Sequence, residues 1–228
     1  RLRIPAVLMS VVFFTAMATA ASAGDKAYGP GVTDSEIKIG NIAPYSGPAS
    51  AYSLIARTEA AYFKMINDQG GINGRKINFI SYDDGYSPPK AVEQARKLVE
   101  SDEVLALFGT IGTASNSAIQ TYMNRKKVPQ LFVGSGARRF ADPKNFPWTM
   151  GWQPDYHTEA AIYGRDIRSK GGQGKVAIIY QNDDLGRDYV AGLKEGLGDA
   201  AQSALVAESS FEVSSPTISS AIVNLKTS

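Results

Sequence analysis

Residues 104–108 (Val-Leu-Ala-Leu-Phe) read as a short apolar strand that runs straight into Gly109-Thr110-Ile111-Gly112-Thr113-Ala114-Ser115. A strand that ends in glycines and opens a helix can hold an anion. The glycines let backbone approach a ligand, and the first helical turn presents N–H groups that have no carbonyl partner. Thr113 or Ser115 adds a hydroxyl donor. The same letters also fit an ordinary strand-to-helix turn with Thr113 or Ser115 as its cap, and both readings stay open. A second loop, Gly134-Ser135-Gly136-Ala137-Arg138-Arg139, follows a strand at 130–133. There Arg138 either grips a carboxylate through two parallel hydrogen bonds or points to solvent beside Arg139.

Catalytic chemistry finds less to work with. His157 is the single histidine and there is no cysteine, which leaves no choice of partners for a Ser-His-Asp triad and no Cys or His cluster for a metal. The nucleophile-elbow pattern G-x-S-x-G is absent. Asp83-Asp84 and Asp183-Asp184 are adjacent carboxylates that acid–base or metal chemistry uses, but each pair falls at a strand end, where Asp caps turns and helices. The spacing from Gly109 to Gly112 is not G-x-G-x-x-G, which argues against a dinucleotide. No catalytic residue, metal or cofactor is expected. His157 reads as a partly exposed residue at a helix start.

These loops are positioned by an alternation of strands and helices. Strands are expected at 37–42, 77–82, 104–108 and 130–133. Leu54, Ile55, Thr58, Tyr62, Met65 and Ile66 recur at helical spacing between the first two, and Pro88-Pro89 opens a helix with Ala91, Val92, Ala95, Leu98 and Val99 on one face. A third helix is expected at 114–123. This order implies an α/β fold with a mainly parallel sheet and helices on both faces. The rhythm lapses between Gly134 and Pro154, then resumes with a helix from about Thr158, a strand at 175–180, a helix from about Gly186 and a strand near Leu205. We therefore expect two lobes, the first at 24–154 and the second, incomplete, at 155–228.

The N-terminus carries an address. Arg1 and Arg3 precede an apolar run at 4–17, and Ala21-Ser22-Ala23 closes it, the layout of a secretory leader cleaved after Ala23. The expected location is the periplasm. The formal charge of +2 comes from Arg1 and Arg3, and the rest is balanced, so nothing draws it to nucleic acid.

Taken in order, these residues resemble the type I periplasmic solute-binding proteins of ABC transporters, the leucine/isoleucine/valine-binding protein family. The matching stretches are Ile39-Gly40 with Tyr45-Ser46-Gly47-Pro48, the turn Gly70-Gly71-Ile72-Asn73-Gly74, and Tyr82-Asp83-Asp84 followed by Pro88, Ala91 and Ala95-Arg96-Lys97-Leu98-Val99. The resemblance implies a two-lobed fold that closes on a small carboxylate-bearing solute, an amino acid of branched-chain type or an aromatic acid, and delivers it to a membrane permease. It places the carboxylate-binding position at Thr113, next to Gly112, and a head-group loop at Ser135, Gly136 and Ala137, with Arg138 standing where the family has threonine. Tyr52 falls at a pocket aromatic, and Leu185 replaces a pocket tyrosine. The family's ammonium-pairing acid would lie beyond Ser228. Two other roles share the architecture: the ligand-sensing ectodomain of a receptor, and a secreted α/β enzyme.

Overall fold

Isoleucines on both faces of β1 (Glu36–Ala43) mark a strand covered on both sides. The computed structural model describes residues 27–171, 174–215 and 217–226, and the expected leader at 1–23 lies outside them. The chain continues through α1 (Ser53–Asp68), β2 (Lys76–Asp83), α2 (Pro88–Glu100), β3 (Ala106–Phe108), α3 (Thr113–Lys126), β4 (Gln130–Val133) and β5 (Thr149–Gly151). The strands form one parallel sheet in the order β2-β1-β3-β4-β5. β1 and β2 run in register from Glu36 opposite Lys76 to Ala43 opposite Asp83.

Helices cover both faces of that sheet. On one side Ile42 and Leu107 meet Ala91, Ala95 and Leu98 of α2 and Ile119 and Met123 of α3. The α2 face is the one its spacing predicts, and Pro88-Pro89 occupies the first turn, where the missing N–H groups cost nothing. On the other side α1 lies against Ala43 and Ile111 through Ala56. Its expected apolar stripe is not the buried face: Leu54 is 68% and Tyr62 56% exposed. The helix meets the sheet instead through small Ala56 and through Phe63, whose ring packs between Phe79 at 5.1 Å and Phe108 at 5.5 Å.

β5 was not legible in the sequence. Three residues are too few to show a period. The amide of Gln130 nevertheless donates to the Trp148 carbonyl at 2.7 Å and ties this segment to the sheet edge.

A second, two-stranded parallel sheet follows: α4 (Tyr156–Ser169), β6 (Val176–Gln181), α5 (Asp184–Leu197), the one-turn α6 (Ala201–Ala204), β7 (Leu205–Phe211) and α7 (Ser219–Lys226). Asp155 caps α4 by accepting from the Thr158 amide, and Asp183 caps α5 by accepting from Leu185 and Gly186, so both helices begin two residues before their expected starts. α4 and α5 come together through small residues. A Cβ at Gly192 would stand 2.1 Å from the His157 carbonyl oxygen, and one at Gly196 would stand 2.2 Å from that of Ala161. No helix among the described residues is long and apolar enough to cross a membrane.

Candidate functional site

The carboxyl ends of β1, β3 and β4 from the first sheet and of β6 and β7 from the second open on one cavity of about 900 Å³. In open parallel sheets this is where backbone turns away and leaves room for a ligand. Gly109 (φ +61°) and Gly112 (φ +98°) adopt left-handed conformations that side chains disfavour, and they turn the chain from β3 into α3. Gly112 itself caps α3, and neither Thr113 nor Ser115 does. Ser115 Oγ donates to Asp84 instead, at 2.5 Å. Thr113 is the first helical residue, and its Oγ1 shares a 2.7 Å hydrogen bond with Ser135 Oγ.

Tyr52, Gly112, Thr113 and Leu185 all line the cavity. Ser135 stands behind Thr113, 1% exposed, and its Oγ accepts the Ala137 amide at 3.2 Å. Gly136 packs under the segment that joins the two sheets: a Cβ there would come within 2.5 Å of the Pro154 carbonyl oxygen. Ala137 is buried with Val133 and Phe140. Arg138 is not part of the lining. With Gly136 pressed against Pro154, the loop turns outward, the Arg138 amide donates to Asp188 at 2.8 Å, and its guanidinium lies 3.4 Å from Asp155. The neighbouring Arg139 pairs with Asp184 at 2.8 Å, bridging the first sheet's loop to α5. His157 is buried in α4 rather than partly exposed, with its Nε2 3.3 Å from Glu195.

The paired aspartates serve the turns. Asp83 accepts from the amides of Tyr45, Ser46 and Gly85. Burial opposes those bonds, yet together with the Ser46 hydroxyl they hold its carboxyl below the usual range. Asp84 is fully buried; desolvation pushes its carboxyl up, although the Ser115 hydroxyl and the Tyr86 amide lower it. Among the described residues no group of three or more His, Cys, Asp or Glu is placed to hold a metal.

Sequence reasoning did not single out Tyr86, Phe132 or Glu59, which the structure places in the cavity wall. Tyr86, at a left-handed φ of +59°, lays its ring over Gly112, where a Cβ would meet it at 2.2 Å. Its hydroxyl accepts from Gln181 Nε2 at 3.2 Å, joining the two sheets across the cavity, and the Thr113 amide serves the same oxygen. Phe132, also left-handed at φ +52°, packs between Phe108, tilted at 5.2 Å, and Trp152, edge-to-face at 5.8 Å. A bulky residue seldom adopts that conformation. Glu59, one helical turn beyond Ile55 on the cavity face of α1, rests its carboxyl on Gly109. Burial pushes that carboxyl up to about 8. The sole sequence signal for these residues is Tyr52, Ile55 and Glu59 at helical spacing; nothing local marks Tyr86 or Phe132. The cavity is thus walled by aromatic rings, supplied with hydroxyl and amide donors at the start of α3, and lined by no Lys, Arg or His among the described residues.

The sequence and the fold both have counterparts among known proteins. The periplasmic binding protein family model matches residues 36–228. The Leu/Ile/Val-binding protein homolog 7 of Brucella suis biovar 1 (strain 1330) is 25% identical over 206 residues, which are 87% of this chain and 51% of the relative. A fatty acid ABC transporter substrate-binding protein from Thermomonospora curvata superposes with a TM-score of 0.75 at 23% identity, covering 88% of this chain and 51% of that one. An R. palustris ABC transporter solute-binding protein in complex with benzoate gives a TM-score of 0.71 at 22% identity, covering 84% of this chain and 52% of that one. The chain therefore spans about half the length of the relatives it matches. From the α/β fold, the cavity at the strand ends and the match over nearly all described residues, this chain belongs to the type I periplasmic binding proteins, in the leucine/isoleucine/valine-binding family.

Proposed function

We propose that this chain is the solute-capturing part of a non-enzymatic periplasmic component of an ABC importer, and that its cleft takes a small carboxylate, an aromatic acid ahead of a branched-chain amino acid. The observation that carries this reading is the cavity itself, with Phe108, Phe132, Trp152 and Tyr52 around the start of α3 and no basic side chain in its lining. Flat rings offer stacking area to a planar acid, and the helix start offers oriented dipoles to its charge. Relatives named for leucine, isoleucine and valine and a structural neighbour holding benzoate support the same solute class.

Thr113 is the donor we assign to the carboxylate. Ser135 Oγ already accepts the Ala137 amide, so when Ser135 gives its proton to Thr113, the Thr113 proton is free for the solute. Gly112 makes room for the Tyr86 ring beside that helix start, and Tyr52, just ahead of α1, adds its ring to the cavity lining. The lobes at 24–154 and 155–228 then rotate together to bury the solute, and the closed form is the one a membrane permease would read.

Titration calorimetry of the secreted full-length protein against benzoate, L-leucine and glucose tests the assignment. Heats from a carboxylate and none from glucose are expected. Binding of glucose alone, or conversion of any of the three to product, would overturn it.

A further inference from the structure

We infer that Glu59 is a specificity-determining residue, which enters the solute complex as a neutral carboxylic acid and so ties the capture of an anion to a bound proton. The inference rests on the carboxylate reading above. Its basis is where the group stands. Glu59 lines the cavity beside Gly109, close enough that a Cβ on Gly109 would lie 1.9 Å from Oε1. Oε2 accepts a 3.1 Å hydrogen bond from Asn41 Nδ2. Asn41 is itself fully buried and held from both ends, since it also donates to the Phe108 carbonyl at 2.9 Å and accepts from Ser81 at 2.7 Å. The carboxyl is therefore anchored at the cavity wall by a neutral amide and not by a cation.

Among the described residues, the charged groups on the elements around Glu59 are engaged elsewhere. On α1, Arg57 stacks over Tyr45 at 5.4 Å and Lys64 pairs with Asp68 at 2.7 Å. On β1, Lys38 donates to the Asp102 carbonyl at 3.1 Å, and Glu36 accepts from Asn78 at 3.1 Å. On β2, Lys76 reaches the Asn67 carbonyl, Tyr82 donates to Asp102 at 3.0 Å, and Asp83 binds the turn amides. The other ionisable residues of the cavity lining are Tyr52, Tyr86, Tyr156 and Glu212. A solute anion placed here would face an ionised Glu59 with no counter-charge between them, and like charges at close range in a partly desolvated site exclude each other. The proton on Glu59 removes that repulsion and leaves an O–H donor. Burial already holds the carboxyl up to about 8, so the neutral form prevails at neutral pH without the solute.

The sign follows from linkage: the complex keeps a proton that the free protein loses as pH rises through about 8, so affinity for an anion falls above that pH. Benzoate stays ionised throughout and is a suitable probe. Calorimetry of the full-length protein should show the benzoate Kd rising about tenfold from pH 7 to pH 9. Glu59→Gln, which cannot ionise, should bind benzoate with a Kd that does not change between pH 7 and pH 9. Wild-type titrations at pH 8.5 in two buffers of different ionisation enthalpy read the same linkage without a variant, as net proton uptake on binding. A flat wild-type profile without proton uptake, or an equal fall in Glu59→Gln, would overturn the inference while benzoate still binds. So would L-leucine binding that strengthens through the same range, because Glu59 would then be pairing with an ammonium. If neither carboxylate binds at any pH, the carboxylate reading itself fails and the inference falls with it.

Discussion

The two sheets obey the same strand-then-helix order and are packed by opposite means. Around the first, large side chains fill the space: Ile42, Leu98, Leu107, Ile119 and Met123 are each 1% exposed or less. Around the second, the buried cluster is Ala160, Leu193, Leu197 and Ala204, and the helices α4 and α5 meet backbone to backbone over Gly164, Gly192 and Gly196. In the first region stability depends on volume that must stay filled. In the second it depends on a separation that must stay short. The cavity draws on both: the first sheet brings the hydroxyl and amide donors, and the second brings Gln181 and Phe211 from its strand ends and Leu185 from the first turn of α5.

Removing volume and adding it should therefore hurt in different places. Leu98→Ala empties a site that is fully enclosed between α2 and the sheet, and denaturant unfolding should show a loss of about 2–5 kcal/mol. Gly192→Ala adds one methyl where the neighbour is the His157 carbonyl, which cannot rotate away. It should cost about 1–3 kcal/mol, in spite of alanine's better helix propensity. A melting temperature for Gly192→Ala equal to wild type would break the comparison, since the α4–α5 separation would then not be a constraint.

Thr113→Val is the smallest change for the fold and the most telling for the cleft. It removes the bond to Ser135 Oγ, which still accepts the Ala137 amide, so stability should fall by only about 1 kcal/mol. Solute affinity should fall roughly 10- to 150-fold, the equivalent of about 1.5–3 kcal/mol for a lost hydrogen bond to a charged group. Melting and calorimetry on one sample measure both. Unchanged affinity would assign Thr113 to the packing of the first sheet and not to the solute.

Much of the first sheet was readable because its signals are local. Ala91, Ala95 and Leu98 show the buried face of α2 by spacing alone, and Gly109 and Gly112 announce a turn between strand and helix. Where the local signal is thin, the reading slipped. The stripe through Leu54 and Tyr62 looked like a buried face, but Ala56 and Phe63 proved to be the contacts with the sheet. A helix on a sheet is positioned by what fits beneath it, and a small residue can allow closer approach than a large one.

By itself the sequence determined the alternation of parallel strands and helices, the chain's family and the loop that opens α3, because periodicity, glycines and caps act within a few residues. Only the tertiary structure decided that Tyr86 lies over Gly112, that Glu59 rests on Gly109, and that Arg138 turns to Asp155 rather than to the cavity. Glu59 meets Gly109 from fifty positions away, and Tyr86 meets Gln181 from ninety-five. Such contacts depend on how sheets and helices stack in space, and no local pattern along the chain records that.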